Sequence, residues 1–141
     1  MQTNRSQFEV VVEVKDGILW GIVEGKGNYI PTPYGKNVEE LKQNFKQLVV
    51  DYQTHEGKKD KCWKNVDAEK MEIEIYYDLQ AFFKEFNQIK ITSLAKNANM
   101  NTSLLRQYAS GSKFPSAEQV KKIEKTIHQL GNSLQKINLA I

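Results

Sequence analysis

From Lys90 to Lys113 the chain carries four cations, Lys90, Lys96, Arg106 and Lys113, and not one aspartate or glutamate. In the same stretch Asn101, Thr102, Ser103, Arg106 and Gln107 supply donors and acceptors of several geometries. An arginine can pair bidentately with guanine O6 and N7, and a glutamine with adenine N6 and N7. Serine, threonine and asparagine serve base edges or phosphate oxygens, while Lys90, Lys96 and Lys113 are placed to flank a groove and neutralise phosphates. An uncommitted polar helix face commonly mixes Glu with Lys. A face without acid points to a polyanion, and the major groove of double-stranded DNA admits one α-helix reading bases with its N-terminal residues. The candidate binding residues are therefore Thr102, Ser103, Arg106, Gln107, Asn101, Lys90, Lys96 and Lys113.

Other chemistries find less support. Metal-dependent nuclease action needs several carboxylates converging on metal ions. Glu9 and Glu13 share one face of a strand pattern, Asp16 sits in a turn, and Glu72 and Glu74 share a face of another strand, which solvated strand faces explain. His55-Glu56-Gly57-Lys58-Lys59 has a lysine where a zinc-binding His-Glu-x-x-His requires its second histidine. Cys62 has no neighbours at ligand spacing and reads as a small buried or neutral residue. His128 reads as a boundary residue of a helix. Gly25 and Gly27 are not followed by the residues of a phosphate loop, and Trp20 and Trp63 read as packing anchors. No catalytic residue, metal or cofactor is expected, and no enzymatic activity.

The elements that must hold these residues follow from the chain's patterning. Its 141 residues suffice for one medium domain or two small ones, and 40% apolar with 26% charged residues is an ordinary soluble composition. No eighteen-residue apolar run exists, so no membrane span is expected, and residues 1–7 lack the apolar core of a secretory signal, which makes the cytoplasm the expected location. The single cysteine excludes an internal disulfide. Residues 79–141 carry nine Lys/Arg against three Asp/Glu, a net of +6, whereas residues 1–78 carry eleven against fourteen, a net of −3. A basic part favours a polyanion and an acidic part a basic partner, so the asymmetry points to two modules with different partners.

In the first module Phe8, Val10, Val12 and Val14 alternate with polar residues as a half-buried strand does. Asp16-Gly17 is a tight-turn signal leading to a second strand at residues 18–23. Residues 29–32 are expected as a third strand, confined by proline to an edge. Asn37 with Glu40 marks a helix start, and Val38, Leu41, Phe45, Leu48, Val49 and Tyr52 repeat at helical spacing. Residues 54–70 read as a loop with at most one helical turn, and Met71, Ile73, Ile75 and Tyr77 as a fourth strand. After Asp78, a candidate cap, five helices are expected. Leu79 to Ile89 forms the first, and a short second is capped by Thr92 and buries Leu94, Ala95 and Ala98. The third spans Thr102–Ser110, stopped by Gly111. The fourth opens with a Ser116/Gln119 capping box, uses Val120, Ile123, Ile127 and Leu130 as its core face and ends at Gly131. The fifth covers residues 133–139, with Leu134, Ile137 and Leu139 either closing the core or forming a dimer surface. The fold class is thus α+β: a β-β-β-α-β sheet module at residues 1–77, then an all-α five-helix domain at 78–141.

Leu94-Ala95, Met100 in a turn, Leu105, Tyr108, Gly111 and Pro115-Ser116 together resemble the Cro/repressor-type (Xre-type) helix-turn-helix, a resemblance covering roughly 60 residues. Asn99 stands where that family usually has glycine and tolerates the same left-handed backbone; Ile91 lies near where many members have glutamine. Asp16-Gly17, Trp20-Gly21 and Gly35-Lys36-Asn37-Val38-Glu39-Glu40-Leu41 resemble HicB-type antitoxins, in which a partial RNase-H-like module precedes a DNA-binding segment. Pro31-Thr32-Pro33-Tyr34-Gly35 replaces that family's usual Pro-Gly-Cys. The resemblance implies an antitoxin of a type II toxin-antitoxin system that neutralises a small basic RNA-cleaving toxin (HicA-like) and represses transcription at operator DNA. One helix-turn-helix alone rarely gives operator affinity, so a homodimer or higher oligomer is expected. The alternative is a free-standing repressor whose first module senses a ligand or protein.

Overall fold

The computed structural model describes residues 7–141, and the chain divides into two compact units, Met1–Ala81 and Phe82–Ile141. The first is a mixed four-stranded sheet of order β3-β2-β1-β4. Strand β1 (Gln7–Lys15) alternates strictly, burying Phe8, Val10 and Val12 and exposing Gln7, Glu9, Val11 and Glu13. Asp16 and Gly17 both take positive φ, 53° and 76°, as a two-residue turn matched to strand twist demands, and they return the chain into β2 (Ile18–Val23).

The third strand is displaced from its expected place. Residues 29–32 do not form it; β3 is Tyr34–Gly35, paired with Trp20 and Leu19. Pro31 and Pro33 have no N–H to give a ladder, so this stretch sinks both rings into the core instead. The Pro33 carbonyl accepts from Gly21 N–H at 2.8 Å. Only glycine fits at position 21, where a Cβ would lie 2.8 Å from Val10 Cγ1 and 2.9 Å from Pro33 Cγ.

Helix α1 (Val38–Thr54) begins at Asn37, whose Oδ1 accepts from Glu40 N–H at 2.8 Å, and buries Leu41, Phe45 and Val49 against the sheet. Burial of each such side chain contributes roughly 1.5–3 kcal/mol. The long connection that follows contains one 3-10 turn, Ala68–Lys70, and is pinned by Trp63. That indole is fully buried, stacks on Phe8 with centroids 5.6 Å apart, and donates from Nε1 to the Lys26 carbonyl at 2.7 Å. Cys62, expected to be buried or neutral, is exposed, because its neighbour's ring takes the inward position. Strand β4 (Glu72–Tyr77) then runs parallel to β1, completing the β-β-β-α-β order.

Helix α2 (Leu79–Glu85) opens with Asp78 Oδ1 accepting from Ala81 N–H at 2.7 Å, and it stops short of the expected Ile89. The second unit contains α3 (Ile91–Asn97), α4 (Thr102–Ser110) and α5 (Ala117–Gln135). Its buried residues include Phe82, Phe83, Leu94, Ala95, Ala98, Leu105, Tyr108 and Ile123. Val120, expected in the core, is 39% exposed.

The expected fifth helix of this domain does not exist as a separate element. A glycine ends a helix by turning left-handed, as Gly111 does at φ 81°; Gly131 has no positive φ and no proline follows it, so α5 runs on to Gln135. Leu134, Ile137 and Leu139 are consequently exposed and close no core. No helix among the described residues is long and apolar enough to cross a membrane.

Candidate nucleic-acid interface

Helix α3, the turn Ala98–Asn101 and helix α4 form one locally determined unit. Leu94 and Ala95 of α3 and Leu105 and Tyr108 of α4 are buried. Asn99 adopts φ 53°, the left-handed conformation that asparagine tolerates. Met100 N–H donates to the Ala95 carbonyl at 2.8 Å, and Asn101 Oδ1 caps α4 by accepting from Leu104 N–H at 3.1 Å. Lys122 of α5 donates from Nζ to the Asn99 carbonyl at 3.1 Å and so ties the turn to the last helix. At the far end of α4, Gly111 turns left-handed, and Ser112 N–H and Lys113 N–H both donate to the Gln107 carbonyl.

These constraints fix which way α4 looks. At about 100° per residue, Thr102, Ser103, Arg106 and Gln107 fall on the arc opposite Leu105 and Tyr108. Ser103 and Arg106 are exposed, and Thr102 and Gln107 are half-buried at the margin. Asn101 is exposed, but its side-chain oxygen is already committed to the cap. Lys90 immediately precedes α3, Lys96 lies in its last turn and Lys113 in the loop after α4; all three are exposed.

Thr92 was expected to cap α3. It lies inside that helix, whose preceding residue, Lys90, makes no side-chain cap. Its Oγ1 instead accepts from Arg106 Nη2 at 3.3 Å. One of the five N–H donors of the guanidinium is thereby used to orient the fork. Sequence reasoning missed this pairing because the two residues lie fourteen positions apart. The capping box at α5 is half made. Ser116 Oγ accepts from Gln119 N–H at 3.2 Å, but Gln119 Oε1 does not reach back and is buried with no hydrogen-bond partner among the described residues.

The geometry suits recognition of a polyanion by an exposed helix: a capped α4, an arginine oriented by one hydrogen bond to Thr92, and cations on three neighbouring segments without an intervening acid. Among the described residues no group of three or more His, Cys, Asp or Glu side chains is placed to hold a metal ion. Glu9, Glu13, Glu72 and Glu74 lie on outward strand positions, and Asp16 lies in the hairpin turn. Compared with known proteins, the chain matches no family model, and no curated protein or solved structure is significantly similar to it.

Proposed function

We propose that this chain is a transcriptional repressor of the antitoxin kind, in which α4 enters the major groove of operator DNA and the sheet unit holds a small basic toxin. The observation that carries the DNA reading is the α3–turn–α4 unit. Its outward face presents Ser103 and the Thr92-oriented Arg106 and is free of acid from Lys90 to Lys113. Arg106 takes a guanine and Gln107 an adenine, while Lys90, Lys96 and Lys113 fix the register through phosphates. The antitoxin reading draws on the β-β-β-α-β order of the first unit and on its net negative charge, which suits a basic partner.

Two copies bind together, presenting two α4 helices about 34 Å apart along the duplex. The exposed Leu134, Ile137 and Leu139 supply apolar surface for that association. The test has two arms. The full chain is titrated onto duplex DNA from upstream of its own reading frame, with scrambled duplex as reference; preference for the upstream fragment is expected. The adjacent reading frame is expressed with and without this chain; relief of growth inhibition is expected. Binding without any relief would leave a free-standing repressor.

A further inference from the structure

The sheet of the first unit has α1 on one face only, and the composition of its other face is organised. Strand register places Ile22, Val11 and Tyr76 in one row across β2, β1 and β4, and Tyr34, Trp20 and Glu13 in the next across β3, β2 and β1. Ile22 is 53% exposed, Tyr34 51%, Tyr76 45% and Val11 40%. The Trp20 and Tyr34 rings lie against each other with centroids 5.1 Å apart. Acid borders this apolar band. Glu9 pairs directly with Glu74 and Gln7 with Glu72, Glu13 closes the second row, and Glu24 follows Val23 at the end of β2. Beside Ile22 and Val11 is an open depression of about 640 Å³, lined by Glu9 and Glu24 and also by Lys26.

Like charges directly opposed across a strand pair destabilise a sheet, yet Glu9 and Glu74 occupy such a pair. Lys15 lies at the far end of the face, and Lys26 sits over the Phe8 ring at 4.6 Å. An apolar band bordered by five glutamates repels nucleic acid and anionic lipid and attracts cations. We infer that this face is the docking surface for a basic protein, whose apolar side chains cover Val11 and Ile22 while its lysines and arginines neutralise Glu9, Glu74 and Glu72. The inference rests on reading the first unit as a partner-binding module, and it deepens that reading by naming the surface.

The probe is the product of the adjacent reading frame, co-purified with the full chain and titrated by calorimetry. Ile22→Lys and Glu74→Lys each weaken the complex by at least about tenfold. Glu39→Lys on α1, which makes the same change in net charge as Glu74→Lys, leaves it within about twofold. Glu74→Lys also raises the melting temperature of the free chain, because it turns a repulsive cross-strand pair into an attractive one. A substitution that stabilises the chain while weakening the complex cannot act through misfolding. If the complex forms but ignores both substitutions, the surface assignment is overturned and the partner-binding reading stands. If no complex forms with the unmodified chain, the reading itself fails and the assignment with it. If Ile22→Lys instead dissociates self-associated chain, the face is a contact between copies and the inference is wrong.

Discussion

Arg106 has two tasks in α4: it offers a planar fork to solvent, and it anchors one corner of that fork to Thr92 on α3. A fork held this way loses less freedom when it meets a guanine, and a flexible ammonium cannot replace it. Arg106→Ala is expected to weaken operator binding by about 1–3 kcal/mol and to relax preference at one base pair, read by fluorescence anisotropy on base-substituted duplexes. Thr92→Ala leaves the charge and removes the anchor, so a smaller loss of preference is expected. A second residue pair ties the end of α1 to the loop that follows it. Tyr52 donates to Asp60 Oδ2 at 2.7 Å, which pushes the Tyr52 phenol up to about 12 and, with the Cys62 N–H, holds the Asp60 carboxyl below its ordinary value. A raised tyrosine supports the fold fully below its unfolded value of 10.0, and that support disappears as pH climbs through about 12. Asp60 supports it above 3.8, and that support disappears as pH falls through the depressed value. Ultraviolet titration should show a late phenolate step that Tyr52→Phe lacks.

At the scale of elements, what was legible in the sequence is what local chemistry decides. Asp16-Gly17 names its turn because two successive positive φ values admit few residues, Asn101 names the start of α4, and Gly111 names its end. What was not legible depends on distant partners. The pairing of Tyr34–Gly35 rather than residues 29–32 follows from where Gly21 meets Pro33, and the role of Thr92 follows from Arg106. Gly131 misled for a different reason, since glycine permits a helix to stop without compelling it. Two substitutions test these elements by thermal unfolding. Gly131→Ala should stabilise the chain by about 0.5–1 kcal/mol, because a Cβ there meets nothing within 4 Å and glycine is a poor helix residue; a terminating glycine would give the opposite sign. Gly35→Ala should destabilise by about 1–3 kcal/mol, since its Cβ would lie 2.6 Å from Leu41 N, a backbone atom that cannot rotate away.

For the molecule as a whole, the division of charge is the organising fact: +6 in residues 79–141 against −3 in residues 1–78. The candidate reading helix was legible to the residue, because spacing alone separates Leu105 and Tyr108 from Ser103 and Arg106. The acidic apolar face of the sheet was not, because it needs the register that brings Glu9 beside Glu74 and Val11 beside Ile22. On the proposed reading, phosphate contacts would act at this scale: Lys96→Ala and Lys113→Ala should weaken all duplexes alike and lower the salt slope of binding by roughly one unit each. The central claim, that α4 reads DNA, is tested most directly by titrating the full chain and its Arg106→Ala variant onto the upstream duplex and a scrambled one at several salt concentrations. The unmodified chain is expected to prefer the upstream duplex, and the variant to lose most of that preference while keeping salt-dependent binding to both. Unchanged affinity and preference in the variant, or no binding of the unmodified chain to either duplex, would contradict it.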